Sequence, residues 1–141
     1  MKTLWFSVSI VVASGVGLVI TAMPAFAHHA FAAEYDATKF VTMKGTVTKM
    51  EWVNPHAWLY IDVKDANGTV VNWAVEFSNP NQLLHRGWRK DDLPVGAEVT
   101  VEAYLARNGS KTVNASNIIL ANGKELFAGS ANGAPERPGP R

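Results

Sequence analysis

The sequence predicts an all-β domain, a small five-stranded barrel with one short helix between strands three and four. Short runs of β-branched and aromatic residues alternate with polar residues at the two-residue period of a strand with one buried face. Asn-Gly pairs, which favour tight turns, separate several of these runs. The chain contains no cysteine, so hydrophobic burial rather than disulfide bonding must hold the domain together.

The first 27 residues are predicted to be a cleaved signal peptide. Lys2 precedes an apolar run from Leu4 to Ile20, and Pro24 to Ala27 supplies the small residues that a signal peptidase cuts after. The alternative is an uncleaved membrane anchor, but a run of about 17 residues interrupted by serine and glycine is at the lower limit for a span. We therefore expect a bacterial periplasmic or secreted protein with no membrane span after cleavage.

Cleavage after Ala27 leaves a chain of about 114 residues, the size of one ordinary domain. We divide it into an N-terminal segment (residues 28–39), the β-barrel domain (residues 40–127) and a tail (residues 128–141). The tail is rich in Gly, Ala, Pro and charge, a composition that predicts disorder.

The first three strands are predicted from their alternation. In strand one, Val41 to Val47 and Met50 to Trp52 have opposite parity, which indicates a β-bulge, and bulges coil a sheet into a barrel. Asn54-Pro55 lies in the connection to strand two, because proline cannot occupy a central strand. The residues predicted to face the core from strands two and three are Ala57, Leu59, Ile61, Val63, Val71, Trp73, Val75 and Phe77.

A helix and two further strands complete the predicted order. Ser78 or Asn79 caps a helix over Pro80–Arg86, Gly87 ends it, and Leu83 and Leu84 are its expected core contacts. Strand four contains Val99, Val101, Ala103 and Leu105 on its inner face, and strand five covers Thr112–Leu120. This order is typical of an OB-like barrel, the oligonucleotide/oligosaccharide-binding type, although an open barrel or sandwich gives a similar pattern. The barrel requires a helical segment over residues 80–86 and strand five paired with strand one.

The charge balance and the missing catalytic patterns exclude several function classes. Without Lys2, the thirteen basic residues fall to the number of acidic ones, twelve, which argues against nucleic acid as a partner. No G-x-S-x-G, H-E-x-x-H or phosphate-binding glycine loop is present, and the acidic residues fall mostly on the polar faces of strands, where we expect them to be solvated. We predict that the protein is not an enzyme.

A ligand surface is predicted around the connection between strands one and two. Trp58 and Tyr60 lie on the strand face opposite the core, Asn54 and His56 flank the connection, and Trp88 follows the helix. Exposed aromatic rings of this kind stack on ligands in barrels of this type. The alternative is that the N-terminal segment covers these rings through Phe31 and Tyr35.

A metal site is the second hypothesis. Cleavage after Ala27 would give His28 a free α-amine, and the amine and imidazole of one residue can chelate a metal ion. A third nitrogen from His29 or His56 would complete the nitrogen set that Cu(II) favours, although nitrogen ligands also suit zinc and nickel. The alternative is that His28 and His29 are solvated and that His56 only caps a turn.

Several motifs in fixed order resemble a known family. They are His28-His29-x-Phe31, Gly45-Thr46-Val47, Trp52-x-Asn54-Pro55-His56-x-Trp58, and Asn79-Pro80-x-x-Leu83 followed by Gly87-Trp88 and Leu93-x-x-Gly96. Together they resemble the exported bacterial proteins of domain-of-unknown-function family 6152, whose layout is similar to that of OB-fold periplasmic proteins. The resemblance implies a small secreted all-β domain and no catalytic residues. The leading hypothesis is a non-enzymatic periplasmic binding or accessory module, whose partner is a small molecule, a metal ion or an envelope protein; the alternative is copper binding through His28.

Overall fold

The computed structural model describes residues 31–129. The predicted signal peptide, His28 and His29, and residues 130–141 of the predicted tail lie outside the described residues. The predicted start of the tail at residue 128 is wrong, because Ala128 is buried in the core and its backbone bonds to Ser78 and Ser116. Residues 31–34 form a helical turn that leads directly into the first strand. Among residues 31–129 no helix has the length and apolar character needed to cross a bilayer.

The described chain is mostly β-structure, which confirms the all-β class. The strands are β1 (Tyr35–Glu51), β2 (Trp58–Lys64), β3 (Val70–Glu76), β4 (Glu98–Ala106), β5 (Thr112–Leu120) and β6 (Glu125–Phe127). The helix α1 (Pro80–His85) lies between β3 and β4, as predicted. The first strand begins at Tyr35, earlier than the predicted domain boundary at residue 40, and β6 is an additional short strand that pairs with β5.

Strands β1 to β5 pair in a closed circuit. The antiparallel order is β3-β2-β1-β4-β5-β6, and β3 also pairs in parallel with β5 through Ala74 to Glu76. The predicted pairing of strand five with strand one is wrong. Strand β4 occupies the edge of β1 from Phe40 to Thr46, so β5 cannot reach that edge and pairs with β3 and β4 instead.

The bend that allows this circuit lies in β1, as the parity change predicted. Its register against β2 shifts between Val47 and Lys49, which is the expected bulge. Gly45 supports the bend because a Cβ atom at this position would lie 2.8 Å from the backbone oxygen of Asp62. The glycine therefore permits an approach between β1 and β2 that no other residue allows without displacement.

The core is enclosed by the inward faces of the strands and by α1. Except for Val71, the predicted inward residues of strands two to four belong to it or pack against it, with Leu59, Ile61, Val75 and Val101 fully buried. Asn79 caps α1 by accepting a hydrogen bond from the Gln82 N–H at 2.9 Å, and Gly87 ends it with a positive φ. Leu83 is buried as predicted, but Leu84 is 45% exposed, because a one-and-a-half-turn helix buries only one narrow face.

Candidate functional site

A buried carboxylate lies on the outer face of the sheet. Glu76 is the last residue of β3 and points away from the core, yet only 6% of it is exposed. It stands in one row across three strands, paired with Trp58 on β2 and with Asn114 on β5. The expectation that the outward acidic residues are solvated is therefore wrong for Glu76, and also for Glu102 on β4, which is equally buried.

Residues 31–35 cover this carboxylate. Phe31 and Tyr35 pack on Tyr104 of β4, with ring centroids 5.5 Å apart for Phe31 and Tyr104 and 5.6 Å apart for Phe31 and Tyr35. Arg107 stabilises the position of residues 31–35, because its Nε donates to the carbonyl oxygens of Ala32 at 2.7 Å and Tyr35 at 3.0 Å. The N-terminal segment thus packs on an outward-facing ring, but that ring is Tyr104 rather than the predicted Trp58 or Tyr60.

Three donors satisfy Glu76. The Tyr35 hydroxyl donates to Oε2 at 2.5 Å, Asn114 Nδ2 donates to the same oxygen at 3.3 Å, and Oε1 faces His56 Nδ1. A buried carboxylate requires such donors, because an unpaired charge away from water is costly. Burial, the hydrogen bond to Glu76 and the charge of Glu76 all raise the pKa of Tyr35, so this phenol stays protonated and acts as a donor.

His56 connects the buried carboxylate with solvent. It lies in the loop between β1 and β2, and 45% of its side chain is exposed. A carboxylate oxygen only accepts hydrogen bonds, so in the neutral ring the proton resides on Nδ1 and the lone pair on Nε2. Within residues 31–129, Nε2 makes no hydrogen bond, which leaves it available to a ligand.

Trp58, which pairs with Glu76 in the register of β2 and β3, lines a groove. The groove has a volume of about 480 Å³ and lies between the N-terminal segment and the loop that joins β4 to β5. Its walls include Tyr35, Trp58, Arg107 and Thr112. Arg107 is exposed, and because its Nε bonds are made to carbonyl oxygens, its terminal guanidinium nitrogens remain as donors at the rim.

The other predicted site residues are placed differently. Tyr60 donates to Glu51 Oε2 at 3.2 Å and lies under Lys49, whose Nζ is 5.4 Å from the ring centroid. Asn54 is exposed in the loop that contains His56. Tyr60 and Asn54 are close in sequence to Trp58, which lines the groove, but neither forms a hydrogen bond with Glu76.

Trp88 requires a correction, because it is not an exposed aromatic ring. It is 2% exposed, packs 5.3 Å from the Phe77 ring centroid, and donates from Nε1 to the Phe127 carbonyl at 2.9 Å. The residues after α1 turn back toward the core, so the indole fills space at the end of the sheet. Trp88 therefore contributes to stability and not to the ligand surface.

No complete metal centre is formed by the described residues. Across residues 31–129, no three His, Asp or Glu side chains group as a metal site. His56 is the predicted metal ligand that the structure describes, and His28 and His29 lie outside the described residues.

Glu76 and Asn114 were not predicted from the sequence, and Tyr35 was expected only to cover aromatic rings and not to donate to a carboxylate. In the sequence, Glu76 is one polar residue in an alternating strand, and nothing marks it as different from Asn72. The available signal was the position of Glu76 in the register, opposite Trp58 and beside the fifth strand, which becomes visible only when the pairing is known.

Comparison with known proteins gives one result that bears on identity. No curated protein matches the chain. A family profile matches residues 15–115, which include the predicted motifs from His28 to Gly96 and most of the site. The chain belongs to the family of unknown function DUF6152.

Proposed function

We propose that the protein is an exported periplasmic binding module without enzymatic activity, built on a five-stranded OB-type barrel. The circuit of β1 to β5 closes through β1–β4 and β3–β5 and not, as the sequence led us to require, through strands one and five. It supports the barrel, because the order β3-β2-β1-β4 is that of a Greek key and an OB-fold is a five-stranded Greek-key barrel. In such barrels ligands contact strands two and three and the loops between strands one and two and between strands four and five. Here those two loops contain His56 and Arg107.

The observation that carries the proposal is the arrangement of His56. One ring nitrogen of this half-exposed side chain faces a buried carboxylate, and two residues that contact the same glutamate, Trp58 by strand pairing and Tyr35 by a hydrogen bond, line a groove. A histidine that only caps a turn needs no buried carboxylate behind it. The groove adds an aromatic wall and a cationic rim, the combination of apolar surface and few polar groups that small-ligand sites use.

The test is a titration of the mature protein purified from the periplasm, after mass spectrometry has identified its first residue. NMR would follow the Trp58 indole and the His56 ring during addition of Cu(II), a cello-oligosaccharide or a short single-stranded oligonucleotide. We expect one probe to shift both signals with saturation, and H56A to abolish the shifts. H85A is the matched control, since His85 is an exposed histidine on α1 and should leave binding unchanged. Shifts that persist in H56A, or that centre on other residues, would contradict the proposal.

Copper binding through the mature N-terminus is the second candidate. The observation that favours it is the shared carboxylate: Glu76 holds both His56 and Tyr35, and Tyr35 belongs to the segment that begins at His28. In the sequence, His29 precedes Phe31 by two positions. Either His29 or His56 would then supply the third nitrogen beside the amine and imidazole of His28.

Copper titration of the natural mature protein tests this candidate. The control is a variant with one extra residue ahead of His28, which moves the α-amine away from the imidazole. Tight one-to-one binding that the extra residue abolishes would support the chelate. Binding that the extra residue leaves unchanged would refute it and leave the Trp58 groove as the ligand site.

A further inference from the structure

We infer that Glu76 is a positioning residue: it accepts a hydrogen bond from Nδ1 of His56 and so orients the ring, which in its neutral form presents Nε2 as a ligand to a divalent transition-metal ion such as Cu(II). The inference rests on the copper candidate for the identity of the ligand. Its structural part, the tautomer and its cause, stands on residues 35–114 alone.

The two carboxylate oxygens of Glu76 have different partners. Oε2 accepts the bonds from Tyr35 and Asn114, so the carboxylate is held from the side away from His56. Oε1 is left to face Nδ1 of the imidazole. Because two donors other than His56 hold Glu76, its orientation is fixed without His56, whereas the orientation of the more exposed His56 depends on Glu76.

The pairing of an imidazole with a carboxylate is common in metal sites. In metal sites a ligating histidine usually donates its second ring N–H to a carboxylate, which sets the tautomer, orients the ring and raises the basicity of the ligating nitrogen. The pair formed by His56 and Glu76 has this arrangement, with the carboxylate buried and the ligating nitrogen on the solvent side. Nε2 of a neutral imidazole suits copper, zinc and nickel.

Tyr35 covers Glu76. Tyr35 keeps its proton because its pKa is raised by burial and by Glu76, so it remains a hydrogen-bond donor to the carboxylate. The carboxylate is therefore not drawn toward solvent and away from the ring. The segment around Tyr35 thus supports the tautomer of His56 without contacting its metal-binding nitrogen.

The first measurement needs no variant. The ¹⁵N shifts of the His56 ring in the metal-free wild-type protein, with the imidazole neutral, should show a protonated Nδ1 and an unprotonated Nε2. A proton on Nε2 would overturn the inference, whatever the protein binds.

The second measurement compares E76Q with E102Q. Glu102 is the matched control, because it is equally buried and lies on β4, where it accepts from Asn117. We expect E76Q to shift the tautomer population and to weaken Cu(II) binding by roughly 10- to 100-fold, and E102Q to change neither. A folded E76Q protein with the wild-type tautomer and wild-type Cu(II) affinity would overturn the positioning role.

The two readouts separate the two hypotheses. A protonated Nδ1 in a wild-type protein that binds no Cu(II) would overturn the metal assignment and the copper candidate together, while the tautomer would still be explained by Glu76. Tight Cu(II) binding with the proton on Nε2 would support the copper candidate and overturn the positioning role.

Discussion

Replacement of Tyr35 by phenylalanine isolates the hydrogen bond that covers Glu76. The substitution keeps the ring that packs on Phe31 and removes only the hydroxyl that donates to the carboxylate at 2.5 Å. A hydrogen bond to a charged group contributes about 1.5–3 kcal/mol, and two other donors to Glu76 remain, so we expect a loss of about 2 kcal/mol in the free energy of unfolding. With a urea dependence of about 2 kcal/mol per molar, the unfolding midpoint should fall by roughly 1 M.

The matched control is Y60F. The Tyr60 hydroxyl also donates to a glutamate, at 3.2 Å from Glu51 Oε2, but this pair is near the surface. Loss of that bond should change stability by no more than about 0.5 kcal/mol. Equal urea midpoints for Y35F and Y60F would refute the reasoning, because they would show that burial adds nothing to the bond at Glu76.

The raised pKa of Tyr35 predicts that the difference in unfolding free energy between the wild type and Y35F depends on pH. The pKa of Tyr35 is raised from its ordinary value of 10.0, first by burial and then by Glu76. Above pH 10 the unfolded chain releases the proton that the folded protein retains, so the stability contributed by Tyr35 is complete below pH 10 and declines at higher pH. The stability difference between the wild type and Y35F should therefore be smaller at pH 11 than at pH 8. A difference that is constant over this range would show that Tyr35 ionises equally in both states.

Three further substitutions test the fold, each by its urea midpoint. Trp88→Phe should lower the free energy of unfolding by about 2 kcal/mol, because it leaves a cavity and removes the indole hydrogen bond. Trp58→Phe should lower it by no more than about 1 kcal/mol. A reversed order would contradict the placement of Trp88 in the core. Gly45→Ala should lower the free energy of unfolding by about 1–3 kcal/mol, because the new Cβ would lie 2.8 Å from the backbone oxygen of Asp62. Lys44→Ala, at the neighbouring exposed position, should change it by no more than about 0.5 kcal/mol. Asn79→Ala should cost about 1 kcal/mol through loss of the helix cap, and Asn79→Ser should restore most of it; equal midpoints for the two variants would exclude a capping role.

The local parts of the fold could be predicted because their signals are local. Alternation identified the inner faces of β2 and β3, and the sequence from Asn79 to Gly87 contained both ends of α1. The bulge in β1 was also visible, since a change of parity within one apolar run is a local event. Each of these features depends on residues that are close together in the sequence.

The pairing of the strands and the exposure of Trp88 could not be predicted in the same way. Both β4 and β5 have an alternation that would suit pairing with β1, so the sequence pattern alone does not decide which of them lies beside β1. Trp88 lies in a connector without periodicity, so its sequence neighbours did not indicate that Phe77 and Phe127 surround it. The short strand β6 follows from its pairing with β5 rather than from any pattern of its own.

The site shows the same limit more sharply, and the limit has a functional consequence. The donors to Glu76 come from positions 41, 20 and 38 residues away, on the first strand, a loop and the fifth strand. No part of this network can form in an isolated hairpin, because Tyr35, His56 and Asn114 meet only when β3 has paired with β2 and β5 and the N-terminal segment has packed on Tyr104. A histidine in an unstructured loop can bind a ligand through either ring nitrogen. In the folded protein, His56 can do so only through Nε2. The ligand preference that we propose for His56 is therefore a property of the completed fold, and a peptide covering the loop from Trp52 to Trp58 lacks the group that creates it.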